Sequence, residues 1–443
     1  MARPSPSPPA AGVAARLASF VLERFPFAVA LVQEAFEAAG GERRAFRREL
    51  DRRIAALPAS GLPDTTPGVA AAKRLDAARE ALADACDGFL TREDIAASLT
   101  RDERREILHG MILTRAVDNR LKQFFTSGEV RYGNLAFQGK GFRSLGQEAI
   151  YAAAIRLRRG PRYRDAERGW QGDVVGPIIR DVGVALAMRP DAATVRMVLN
   201  AQMGKQGPPM DGKDLHIGDF ESGILPATAP LSVSTLSIAG LAMAFARAAS
   251  GRVAFSFIGE GGSSLGEWHE AINLCAARKL PAVFCVENNQ TALSTPVREQ
   301  SAVRVFADKA AGYGIPGITI DGTDADAIAA AFAWAAARAR SGEGCTLIEL
   351  VCMRMCGHAH HDDMLYLGRE PALSWEYPEL AQQGAYADRG CYREWAAKDP
   401  IALYASRLER ESVIAHGEAD LFKGEAQALV DEEARAIVES EWP

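Results

Sequence analysis

Four short β-rich runs in the second half of the chain, residues 253–258, 282–287, 317–321 and 346–351, are separated by amphipathic stretches long enough for helices. Strands joined by crossovers of this length pair in parallel, because the intervening helix must lie on a face of the sheet. Helices are predicted over residues 265–279, 303–313 and 324–340, which gives β-α-β-α-β-α-β. The expected fold is α/β, a doubly wound, mostly parallel sheet flanked by helices. Ligands of such sheets bind beyond the carboxyl ends of the strands, so the residues just after each run are where chemistry is expected.

The flanks read differently. Residues 1–100 are rich in Ala, Arg, Glu and Leu at helical spacing, interrupted by Pro58, Gly61, Pro63 and Pro67. A helical N-terminal extension with a flexible joint over 58–68 is expected. The α/β domain then covers 101–370. An aromatic, irregular stretch (Trp375, Tyr377, Tyr386, Tyr392, Trp395) and a charged closing helix over 405–439 make up 371–443.

Composition excludes several classes of function. With 51 basic against 57 acidic residues, a formal net charge of −6, the chain offers no broad positive field to nucleic acid or anionic lipid. The longest apolar run, residues 327–337, is eleven residues long, short of the roughly 20 that a membrane helix needs. Seven scattered cysteines agree with a reducing compartment, and the chain reads as a bacterial cytoplasmic protein. The first 22 residues hold arginines and no acid, so a mitochondrial transit peptide is the second reading.

The run 253–258 ends in Gly259-Glu260-Gly261-Gly262-Ser263-Ser264 before a helix. A glycine turn feeding a helix N-terminus presents free N–H groups to phosphate. The dinucleotide fingerprint fails at Ser264, and no Gly-Lys-Ser/Thr follows to make a P-loop. Glu260 is the unusual member: an acid beside phosphate repels it unless a divalent cation lies between, and Mg²⁺ is held by a few protein oxygens plus phosphates. The bland reading is a solvated turn glutamate. The next run ends in Glu287-Asn288-Asn289-Gln290-Thr291, and adjacent parallel strands end on one edge, so Glu260 and Asn289 can face the same cation.

This pairing, G-E-G followed after 26 residues by N-N, resembles the thiamine diphosphate motif. The block 259–296 is similar to the alpha subunit of the decarboxylating dehydrogenase of 2-oxo acid dehydrogenase complexes, and the resemblance extends over about 101–368. It implies a thiamine diphosphate-binding fold, with Mg²⁺ on Glu260, Asn289 and the backbone carbonyl of Thr291. Glu in the motif, where pyruvate-type members usually carry Asp, points to the branched-chain type. Met111 to Asp118 and Ser144 to Ala149 look like the opening helix and the helix that follows it, although the Gln147-Glu148 pair also suits a solvated face.

Further site residues follow from the same resemblance. Arg180 matches an arginine that grips the diphosphate, though Ile179 replaces the family tyrosine; otherwise it would be a surface ion pair with Asp173 or Asp181. His216, after Gly212-Lys213-Asp214-Leu215, resembles a histidine near the reacting carbon. Leu231, in Ala229-Pro230-Leu231-Ser232, lies in a loop similar to one that contacts the aminopyrimidine. Gly259, Gly261 and Gly262 line the diphosphate. Thr228, Val233 and Ser234 do not suit the K⁺ site of some branched-chain members. Arg354 and His358 of R-x-x-G-H are implied at the diphosphate and the reaction centre, and Ala359 removes the serine that mammalian members phosphorylate there. Because five His and Cys lie within residues 352–361, zinc is a competing reading, with unusual spacing.

The resemblance also implies a beta subunit that supplies the activating glutamate, two alpha and two beta chains, and a lipoyl-bearing acyltransferase core as acceptor of the acyl group. The implied reaction is oxidative decarboxylation of a small, branched-chain 2-oxo acid. Pyruvate or acetoin dehydrogenase alpha chains are the alternative, and a catalytically silent partner-binding scaffold is the alternative of another class.

Overall fold

A computed structural model of the chain describes residues 10–57, 69–208 and 210–443. Its contacts divide it into two compact units, Met1–Thr100 and Arg101–Pro443. The first is helical: Ala10–Arg24, Val29–Ala38, Arg43–Ala55 and Ala71–Ala97 bury one apolar core that includes Leu17, Val32, Phe36, Phe46, Leu50 and Leu82. The expected joint at 58–68 lies outside the described residues, as do residues 1–9 of the leader-like segment, whose later part enters the first helix.

The second unit is built on one five-stranded parallel sheet. Its strands are β1 (Val174–Gly176), β2 (Ala254–Gly259), β3 (Ala282–Asn288), β4 (Gly317–Asp321) and β5 (Thr346–Val351), in the order β4-β5-β3-β2-β1. The central strands β2 and β3 are buried nearly throughout, which is why they read as continuous apolar runs and not as alternation. Between them runs the helix Gly266–Ala277, whose Trp268, Ala271, Ile272 and Cys275 pack with Phe284 and Val286 of β3 in the main core. Asp324 caps Ala325–Arg340 by accepting from Ala327 N at 3.1 Å. Among the described residues, no helix is long and apolar enough to cross a membrane.

Four local expectations are corrected. β1 was not anticipated, because three residues are too few to carry a periodicity. Residues 303–313 are not one helix: a 3₁₀ turn, Phe306–Lys309, and a single turn, Ala310–Tyr313, replace it, and β-branched Val303 and Val305 favour the extended backbone that precedes them. Residues 144–149 enter a 3₁₀ helix, Glu148–Ala154, not an α-helix. The closing helix is two, Pro400–Arg410 and Glu418–Glu439, parted where Ser412 and Gly417 adopt left-handed φ of 56° and 77°. These last helices belong to the same unit as the sheet.

Phe284 is fully buried and meets the Trp268 ring edge-on at 5.6 Å. Phe284→Ala is expected to cost about 3–5 kcal/mol through lost contacts and an unfilled cavity, lowering the urea midpoint of the second unit; Phe284→Leu should cost clearly less.

Candidate functional site

The ends of β2 and β3 lie side by side, Gly259 opposite Glu287, so Glu260 and Asn289 reach one edge as the crossover geometry requires. Glu260 is 1% exposed. Its Oε2 accepts from Asn289 N at 3.3 Å, and its Oε1 is buried with no protein partner. A buried charged oxygen left this way costs about 1–3 kcal/mol or more unless something completes it.

Asn289 points to the same need. In one amide orientation its Oδ1 faces the Thr291 carbonyl oxygen at 2.9 Å and its nitrogen faces Arg180 Nη1 at 2.5 Å; turned over, Nδ2 donates to Thr291 O and Oδ1 accepts from Arg180. The turned form satisfies these two contacts but sets Oδ1 2.8 Å from Gln147 Oε1, to which Nδ2 donates in the first form. The first form juxtaposes two acceptors, which suits a cation: an octahedral ion with ligand distances of ~2.0–2.1 Å places neighbouring oxygens about 3 Å apart.

Arg180, in the loop after β1, is 6% exposed. It donates from Nη2 to Glu287 O at 3.0 Å, pairs with Glu287 Oε2 at 3.3 Å, and bonds Gln147 Oε1. The surface-pair reading is therefore overturned: Asp173 is buried and pairs with Arg340, and buried Asp181 accepts from Ile178 N at 3.1 Å. A Cβ on Gly259 would stand 2.7 Å from Arg180 Nη2, so a larger residue there would push the guanidinium aside. Burial works against the charge of Arg180, but the carboxylates of Glu287, Asp181 and Glu260 hold its pKa above the ordinary value. Burial, then the closeness of Asp181, pushes the Glu287 carboxyl well up.

Arg354, just beyond β5, is fully buried. Its partners are all neutral: Nε donates to Cys356 O at 3.0 Å, Nη2 to Leu293 O at 2.8 Å, Nη1 lies 3.5 Å from His358 Nδ1, and the guanidinium stacks 4.8 Å from the Tyr366 ring centre. Among the described residues it has no carboxylate in salt-bridge range, and an unpaired buried guanidinium is a ready receptor for an anion. His358 sits beside it under the edge of Phe142. Burial, then the charges of Arg354 and Arg180, lowers its pKa to about 4, so the ring is neutral at pH 7.

The loop of Leu231 lies against the glycine turn, because Ser232, at a left-handed φ of 69°, donates from Oγ to Gly262 O at 3.1 Å. The turn itself, Gly262–Ser264, is 3₁₀, and the following helix starts at Gly266. His216 is placed by Asp214, with Nδ1 and Oδ2 2.7 Å apart; among the described residues no hydrogen bond joins it to the Arg180–Asn289 group. The zinc reading of 352–361 gains no support, since Cys352 Sγ faces Asn288 O and no three metal-ligating side chains among the described residues form a set.

Sequence reasoning missed the groups that hold these residues. Gln147 and Glu148 are buried, not a solvated face; Gln147 contacts Arg180, and Glu148 pairs with Arg115 at 2.8 Å. Glu349 accepts from Asn288 Nδ2 at 2.9 Å, and also from Ala307 N and Thr319 Oγ1. The available signal was an acid inside an apolar strand, in Thr346-Leu-Ile-Glu349 and in Cys285-Val-Glu287, since buried charge requires partners.

Residues 166–375 match the family described as dehydrogenase E1 component. The chain is 30% identical to the 2-oxoisovalerate dehydrogenase subunit alpha of Bacillus subtilis over 346 residues, 77% of this chain and 92% of that protein. It is 40% identical over 188 residues to the 3-methyl-2-oxobutanoate dehydrogenase subunit alpha of Mycobacterium tuberculosis, 42% of this chain and 46% of that one. It is 30% identical over 356 residues to the pyruvate dehydrogenase E1 component subunit alpha of Bacillus subtilis, 79% of each. Similarity of this extent, laid over a parallel sheet whose strand ends gather Arg180, Glu260, Asn289 and Arg354, makes the chain a member of the dehydrogenase E1 component family, on its alpha-subunit side.

Proposed function

We propose that the chain is the alpha subunit of a branched-chain 2-oxo acid dehydrogenase, holding thiamine diphosphate through Mg²⁺ on Glu260, Asn289 and Thr291. The observation that carries this reading is the pairing of cation-seeking oxygens, the partnerless Glu260 Oε1 and the Asn289–Thr291 acceptors, with the buried guanidiniums of Arg180 and Arg354. A diphosphate bridged by a divalent ion satisfies both halves at once. The residues present fit that group, and the family of the chain agrees with it.

When bound, the cofactor supplies a carbanion that adds to the 2-oxo group and an electron sink for loss of CO₂. Arg180 and Arg354 would take phosphate oxygens, and the glycines at 259, 261 and 262 would let the backbone approach. Leu231 lies beside Gly262 of the turn and would border the bound ring. Asp214 accepts the Nδ1 proton of His216 and so leaves Nε2 free. A neutral His358 with Nδ1 toward Arg354 keeps its proton on Nε2, available to the substrate.

Branched-chain substrate is favoured by Glu260 and by the coverage of the 2-oxoisovalerate relative. The pyruvate relatives, covering 79% of this chain, keep a pyruvate dehydrogenase alpha subunit as the second reading. The proposal includes a beta-type partner, a two-plus-two assembly, transfer to a lipoyl-bearing acyltransferase and a cytoplasmic setting. Co-expression with a beta-type chain and assay with 2-oxoisovalerate, pyruvate and acetoin tests it: a preference for 2-oxoisovalerate and an inactive isolated alpha chain are expected, and preference for pyruvate would favour the second reading.

Two further outcomes are expected. Glu260→Gln should weaken Mg²⁺-dependent binding of thiamine diphosphate by roughly tenfold or more, measured by calorimetry on the alpha–beta complex, with excess Mg²⁺ restoring part of it. The cofactor-free chain should lose stability as pH falls from about 6.5 toward 4, because unfolded His358 takes up a proton near ~6.5 whereas the folded ring, lowered to about 4, does not. His358→Gln should reduce that slope in urea melts at pH 7 and 5, while buried His360, lowered in the same direction, keeps part of it.

A further inference from the structure

The loop after β5 carries His358 and is folded back by two consecutive aspartates. His358 N donates to Asp362 Oδ2 at 3.0 Å, and Gly357 N donates to Asp363 Oδ1 at 2.6 Å. A Cβ on Gly357 would lie 2.4 Å from Asp363 N, so the closeness of this fold-back requires glycine. The second oxygen of Asp363 receives two cations: Arg143 Nη1 at 2.7 Å and Lys122 Nζ at 2.9 Å. Asp363 and Lys122 are 0% exposed and Arg143 is 2%.

Each cation ties the loop to another part of the unit. Arg143 also pairs with Asp118 at 2.8 Å, and its backbone N donates to His358 O at 3.3 Å. Lys122, on the helix Arg101–Ser127, donates to His360 O at 2.7 Å and pairs with Glu370. The neighbouring His360 N donates to Gly141 O, and the Phe142 ring meets His358 edge-on at 4.9 Å. The buried charges Asp118, Asp363, Arg143 and Lys122 thus compensate one another, and the hydrogen bonds of Asp363 run to the backbone beside His358. Well-packed apolar residues would be about as stable as such a buried ionic group, whereas a charge network admits few alternative geometries. What this arrangement specifies is the position of one loop.

We infer that Asp363 is the positioning residue for His358, acting through Lys122 and Arg143. This rests on the reading that His358 stands at the reaction centre. The test is a double-variant cycle in the alpha–beta complex saturated with thiamine diphosphate and Mg²⁺. Asp363→Asn is expected to lower kcat tenfold or more while cofactor affinity stays within twofold, because Arg180, Glu260 and Asn289 are untouched and Arg354 keeps Leu293 O and the Tyr366 ring. His358→Ala should also be slow, and Asp363→Asn should slow His358→Ala no further. Additive losses, or a parallel fall in cofactor affinity, would overturn the role of Asp363. Full activity in His358→Ala would instead overturn the reading of His358, and with it the inference. If Asp363→Asn does not fold, Lys122→Arg, which keeps the charge but not the compact contact with His360 O, takes its place in the cycle with the same expected and overturning outcomes.

Discussion

A buried charge must be met by opposite charge or by hydrogen bonds, and the architecture of the second unit follows from where it meets that demand. Arg180 could not lie under the sheet edge without Glu287 and Gln147, nor could Glu287 sit inside an apolar strand without Arg180. Glycine at 259 leaves the guanidinium its space. The parallel sheet brings these groups together from three separate crossovers, which no local segment could do. Where compensation within the protein stops, at Glu260 Oε1 and at Arg354, a ligand has something to complete.

The sheet was legible because buried parallel strands announce themselves as short apolar runs. The limits of 317–321 and 346–351 coincide with β4 and β5, β2 is shifted by one residue at both ends, and β3 runs one residue longer. The diphosphate-side motif was legible for a different reason: glycine, acid and amide at fixed chain separation report a backbone constraint and a charge that has to be answered. What stayed hidden lacked either signature. Three residues of β1 have no period. The 3₁₀ path of Glu148–Ala154 and the break at Ser412 and Gly417 are decided by tertiary packing and left-handed backbone, which outweigh the helical propensity of the residues around them.

The supporting residues were hidden in another way. Gln147, Lys122 and Arg143 look like solvated polar positions until the fold carries them inside; for Lys122, a helix with one polar stripe can point that stripe at water or at a buried partner. Met111 to Asp118 belongs to a helix, Arg101–Ser127, whose Arg115, Asp118 and Lys122 are all buried. Its charged residues are spaced as an exposed face would be, yet they join the loops that surround the site. Burial, not residue type, separates the two situations.

The thiols beside the cradle are subject to the same low-dielectric surroundings. Cys285 on β3, Cys352 at the end of β5 and Cys356 within the following loop are buried, and burial pushes each thiol well above its ordinary value. Because the thiolate is the form that reacts, all three remain un-ionised at neutral pH and behave as small apolar side chains. Oxidants and electrophiles therefore meet inert sulfur next to the diphosphate-side groups, and the strand ends that gather the site's charges are chemically durable.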